Sequence, residues 1–119
     1  MATASQVTSL NLERKGFDDW KQVAGELKNY PNIQMLSLKN NELAKINKDI
    51  HKLKKLRFLD ISQNPIASVQ DVLEGLLGLP VLRELKIDIR SREDENLLLQ
   101  ALPKLLNLNQ HSHLNLRFD

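Results

Sequence analysis

One spacing recurs along this chain, and it dictates how the chain can bury its apolar side chains. Each copy carries apolar residues at positions 1, 4, 6 and 11 and an asparagine at position 9. Ile33, Leu36, Leu38, Asn41 and Leu43 form one complete copy, and Leu56, Leu59, Ile61, Asn64 and Ile66 form the next. Degenerate copies stay in phase on either side. Val7, Leu10, Leu12 and Phe17 come before them, with Lys15 at the asparagine position, and Leu82, Leu85 and Ile87 come after, with Arg90 there. Leu105 and Leu108 suggest a fifth copy. Starts at 7, 33, 56, 82 and 105 give periods of 26, 23, 26 and 23 residues. Units this short cannot bury an apolar face alone, so neighbouring copies must stack into a shared core.

The spacing predicts a short strand in each copy, with positions 1, 4 and 6 turned to the interior. Position 9 falls where the chain leaves the strand. An asparagine amide there can bond backbone groups that no strand partner reaches, so Asn41 and Asn64 are expected as buried ladder residues. Between strands, Trp20, Val23, Ala24 and Leu27 recur at helical spacing behind Asp18 and Asp19, predicting a helix over 18–28 with Trp20 as a core or N-terminal cap residue. Val69, Val72, Leu73, Leu76 and Leu77 follow Ser68, a good N-cap, and precede Gly78 and Pro80, predicting a second helix. The stretch with Ile46, Ile50 and Leu53 allows only a turn or two. A last helix is expected over 91–102, with Ser91 and Asp94 as alternative N-caps and Pro103 just beyond its end.

Composition supports a single small domain whose core is built from one residue type. Leucine supplies 24 of the 119 residues, and aromatic residues only 4%. There is no cysteine, which removes disulfides, thiolate metal sites and a cysteine nucleophile. A formal net charge of +2 lacks the concentrated basic excess of a phosphate-tracking surface, so direct nucleic-acid contact is disfavoured. The first residues lack the basic and apolar segments of a secretory signal, and no apolar run is long enough to span a membrane. A cytoplasmic location is expected, with nucleus or cilium and cytoskeleton as other intracellular sites.

No catalytic or cofactor constellation assembles. The histidines are His51, in a lysine-rich stretch, and His111 and His113 near the end. No third ligand completes a metal site with the last two, and no glycine-rich phosphate loop exists. Catalytic, cofactor-binding and metal-binding residues are therefore expected to be absent. The basic run from His51 to Arg57, with Lys45 and Lys48 upstream, reads first as a solvated surface, because Leu53 and Leu56 are core positions. An acidic partner is the other reading.

The sheet face opposite the core carries more information. Alternation along a strand projects positions 3, 5 and 7 outward. Position 3 reads Ser9, Met35, Phe58, Glu84 and Asn107; position 5 reads Asn11, Ser37, Asp60, Lys86 and Asn109; position 7 reads Glu13, Lys39, Ser62 and Asp88. Met35 and Phe58 fall side by side with no core requirement to explain them, inside a rim of Ser37, Lys39, Asp60, Ser62, Glu84 and Lys86. An apolar centre with a charged rim has the anatomy of a protein interface. Cover by the N-terminal segment, by the tail around Leu114, Leu116 and Phe118, or by a second copy is the alternative.

These features resemble the leucine-rich repeat superfamily over residues 7–109. The phrases LKNNELAKI and NPIASVQDVLEGLLGLPVLRELKI look like its intracellular subclass, which includes protein phosphatase-1 regulatory subunits, the axonemal dynein light chain of this fold and the U2 snRNP leucine-rich protein. The phrase LPKLLNLNQ is similar to the segment that caps such arrays. The resemblance implies an α/β leucine-rich repeat solenoid of about five repeats, with a parallel concave sheet and convex helices or turns. Residues 1–6 would be an extension and 110–119 a C-terminal cap or tail. It implies a monomeric, non-catalytic interaction module, regulatory or scaffolding, that binds another protein or another domain of a longer chain through its concave face. A phosphatase or a cytoskeletal or axonemal component would be typical partners. The alternative is a component of an RNA–protein assembly that grips an RNA-binding protein. Lys15 and Arg90 depart from the pattern at the ladder position.

Overall fold

The computed structural model describes residues 6–105 and 113–118. Five strands form one open, wholly parallel sheet in chain order: β1 (Ser9–Asn11), β2 (Met35–Ser37), β3 (Phe58–Asp60), β4 (Glu84–Ile89) and β5 (His113–Phe118). Parallel neighbours in sequence require a crossover between each pair. Here the crossovers hold α1 (Trp20–Leu27), a short 3-10 helix at Lys48–Lys52, α2 (Gln70–Leu77) and α3 (Arg92–Leu105). The core lies between the sheet and these crossovers. Leu36, Leu38, Leu59, Ile61, Leu85 and Ile87 bury from the strands against Trp20, Val23, Leu27, Ile50, Val72, Leu76 and Leu98.

Local chemistry explains where the helices begin. Asp19 accepts the Lys21 N–H at 2.9 Å, while Gln22 Oε1 accepts the N–H of Asp19 at 3.2 Å, so α1 starts in a reciprocal capping box. Ser68 Oγ accepts the Gln70 N–H at 3.2 Å at the start of α2. Ser91 Oγ accepts the Asp94 N–H at 3.1 Å, which selects Ser91 over Asp94 as the cap of α3. Asp94 is thereby free to act elsewhere. Its buried Oδ1 accepts the Val69 N–H at 3.1 Å and satisfies an orphan donor of α2 from the next crossover.

Two features of the C-terminal part differ from the sequence reading. Leu105 lies in α3 and does not open a fifth copy; the fifth strand is His113–Phe118, within the stretch expected to be a tail. Leu98, Leu102 and Leu105 recur at i, i+4 and i+7, so the apolar spacing taken for a fifth copy begins inside a helical period. Asn107, Leu108 and Asn109 lie outside the described residues, as do His111 and Ser112. Pro103, expected beyond the helix, sits in its final turns. The fourth crossover thus reaches β5 only after a longer path than the earlier period implied.

The turn after each of the first three strands uses left-handed backbone at position 8. Arg14 has φ of 57°, Asn40 62° and Gln63 56°. This turn brings position 9 back under the sheet edge. Position-8 N–H groups then bond the next copy: Arg14 to the Lys39 carbonyl at 3.3 Å, Asn40 to the Ser62 carbonyl at 3.1 Å, and Gln63 to Asp88 Oδ2 at 2.7 Å. The fourth copy has no such turn, because Ile89 continues β4 as a buried strand residue.

Candidate functional site

Register builds the candidate surface directly. Met35 pairs with Phe58, Phe58 with Glu84 and Glu84 with His113, while Ser37, Asp60, Lys86 and Asn115 form the next row. Strands about 4.8 Å apart place Met35 and Phe58 as immediate neighbours. Met35 is 48% exposed, and Leu36 beside it in the chain is buried, so β2 separates the two faces within consecutive residues. Phe58 is half-buried, with the Lys86 ammonium 5.6 Å from its ring centroid. That geometry allows a cation–π contact across the β3–β4 pair.

The rim is smaller than alternation implied. Asp60 and Ser62 were expected to be accessible, yet Asp60 is 7% and Ser62 2% exposed. Asp60 Oδ1 accepts Ser62 Oγ at 2.6 Å and the Ser62 N–H at 3.0 Å, so the pair closes on itself at the strand end. Alternation gives the direction of a side chain but not whether a neighbour two residues on folds over it. Ser37, Lys39, Glu84 and Lys86 remain half-exposed and form the polar surround of Met35 and Phe58.

Beneath the turns, the asparagines hold the copies together. Asn41 Oδ1 accepts the N–H groups of Lys15 at 3.0 Å and Phe17 at 3.2 Å, and its Nδ2 donates to the carbonyls of Leu12 and Leu38, both at 2.9 Å. Asn64 Oδ1 accepts the Leu43 N–H at 3.1 Å, and its Nδ2 donates to Leu38 at 2.9 Å and to Ile61 and Ser62 at 3.1 Å. Both side chains are buried. At the equivalent place in the fourth copy, the Arg90 guanidinium donates to the Asn64 carbonyl at 3.1 Å. A longer donor arm thus carries one strand of the ladder onward where asparagine is missing. These contacts keep the outer rows in register; they do not themselves face a partner.

The opposite side of the protein holds a groove of about 620 Å³ between α1 and the 3-10 helix, lined by Trp20, Ala24, Leu27 and Leu53 with lysines around it. The Trp20 indole N–H donates to Asp49 Oδ1 at 2.6 Å across its floor. Nearby, Lys48 Nζ meets Glu74 Oε1 at 2.9 Å; the hydrogen bond and charge of Glu74 hold the ammonium pKa above its ordinary value. Of the basic run, Leu53 and Leu56 are buried, and Lys52, Lys54, Lys55 and Arg57 are exposed. Among the described residues, no group of three or more metal-ligating side chains is gathered, and no helix is long and apolar enough to cross a membrane.

A comparison with curated proteins finds no match to the chain. Residues 31–75, which contain β2, β3 and both ladder asparagines, are similar to the family described as Leucine Rich repeats (2 copies).

Proposed function

We propose that the chain is a non-catalytic protein-binding module whose partner docks on the open face of the sheet. The observation that supports this reading best is the direct pairing of Met35 with Phe58, an apolar pair on a face otherwise occupied by polar side chains. Leucine-rich repeats generally serve as surfaces for protein partners, and stacked repeats present such a face as a preformed platform. A preformed surface loses little freedom on association, which leaves more of the burial energy for affinity. Met35 and Phe58 are the anchors; Lys39, Glu84 and Lys86 discriminate by charge and set orientation. The partner class implied by the intracellular subclass, a phosphatase catalytic subunit or a cytoskeletal component, fits such a platform, as does another domain of a longer polypeptide.

Differential affinity capture tests the proposal. Wild-type protein and the Phe58→Glu variant, each shown to be folded by its melting transition, are used as baits from the same extract. The reading expects a protein retained by wild type to be lost with the variant. Identical retention by both folded baits contradicts it.

A further inference from the structure

We infer that the groove between α1 and the 3-10 helix is a second docking site, separate from the sheet face, and that its occupant is an acidic amphipathic helix. The groove exists because the second crossover is short. A 3-10 turn over Lys48–Lys52 does not cover the side of α1 as a full helix would, and Ala24, Gly25 and Pro31 line a trench floored by the edges of the buried Trp20, Leu27 and Leu53. Gly25 widens the opening: a Cβ built there meets nothing within 4 Å. The open groove's volume of about 620 Å³ is enough for two or three apolar side chains.

Charge complementarity selects the occupant. Lys21, Lys28 and Lys52 stand at the margin, all exposed, against one carboxylate, Asp49, which accepts the Trp20 indole N–H. Lys21 in α1 and Lys28 at its C-cap are seven residues apart, about 10 Å along the helix axis. A partner helix lying beside α1 meets both with carboxylates at i and i+7, while its apolar residues at i+3 and i+4 enter the trench. Of the basic run around residues 52–57, which the sheet-face reading leaves unused, Lys52 and Leu53 belong to the groove lining.

Trp20 is the only tryptophan in the chain and lines the groove, so its emission reports occupancy without a label. The probe is a synthetic amidated helix of about 15 residues, free of aromatic residues, with Glu at i and i+7 and Leu at i+3 and i+4. The inference expects a saturable change in Trp20 emission. Lys21→Glu with Lys28→Glu weakens binding at least about tenfold. Gly25→Met, which places a side chain in the open trench and improves helix propensity, does the same with an unchanged or higher melting temperature. Phe58→Glu leaves the affinity unchanged, which separates this site from the sheet face. The inference is overturned if wild type shows no saturable response, if the folded charge-reversed variant binds equally, or if a Lys-for-Glu probe binds as tightly. It is also overturned if phosphatidylcholine vesicles with about 30% phosphatidylserine change the emission while the peptide does not.

Discussion

Asn64 donates to the Leu38 carbonyl of the preceding copy at 2.9 Å while accepting the Leu43 N–H at 3.1 Å, so one buried amide ties two stretches of β2's copy to β3's turn. Removing it takes away the partner of the Leu43 N–H and of the Ile61 carbonyl, while the Leu38 and Ser62 carbonyls keep Asn41 Nδ2 and the Asn40 N–H. Each group left unpaired costs about 1–3 kcal/mol, so Asn64→Ala is expected to lower stability by about 2 kcal/mol or more in urea unfolding. Asn64→Asp keeps an acceptor for Leu43 but loses the donors, and it is also expected to be destabilised. A loss under about 1 kcal/mol in the alanine variant would show that water replaces the ladder.

Asp94 caps a helix that is not its own. Asp94→Ala removes the acceptor of the Val69 N–H and is expected to cost about 1–2 kcal/mol, whereas Asp94→Asn retains an acceptor and costs less. Unfolding midpoints of the two variants check the order. Equal losses would mean that the carboxylate charge, not the hydrogen bond, carries the effect.

Left-handed backbone at Gln63 predicts a gain from glycine. A non-glycine residue at φ of 56° carries roughly 1 kcal/mol of strain, partly offset by glycine's larger unfolded-state freedom. Gln63→Gly is therefore expected to raise stability by up to about 1 kcal/mol. Ile89→Gly, at the matching position where the fourth copy stays extended and buried, is expected to lose several kcal/mol, on the order of 2–5. Thermal melts of both variants distinguish a turn requirement from a general tolerance of glycine.

Lys48 and Glu74 provide the pH test. The lysine pKa is raised, so the pair's contribution is present in full below the ordinary lysine value and fades as pH climbs through the raised folded value. Side chains 69% and 71% exposed leave that contribution heavily screened. Lys48→Ala is expected to melt with wild type near neutral pH and at alkaline pH alike. A clear loss confined to pH below the lysine range would assign the pair a structural role.

Much of the fold was legible because leucine periodicity and strand spacing point to the same faces. Ile33, Leu36, Leu56, Leu59, Leu82 and Leu85 sit in the core where the repeat places them. The unread parts depend on contacts between copies or on competing periods. Asp94 reaches Val69 across 25 residues, a distance at which no local pattern announces a cap. Of the three left-handed positions, only Asn40 is a residue type that favours that conformation. Leu105 follows a helical period that a leucine count alone does not separate from a repeat start. On the candidate surface, the Met35–Phe58 adjacency was readable from register, but the closure of Asp60 on Ser62 was not, because it turns on rotamers.

Thiol protection tests the sheet-face account most directly, since a chain without cysteine accepts a single reactive probe at any position. Maleimide labelling rates would be measured for Met35→Cys, Leu36→Cys and Phe58→Cys, each free and in complex with the protein that wild type captures. The account predicts fast labelling at 35, slower labelling at 58 and almost none at buried 36 in the free protein, with the first two suppressed in the complex. Labelling at 35 and 58 that the bound partner leaves unchanged would place the partner elsewhere and contradict the account.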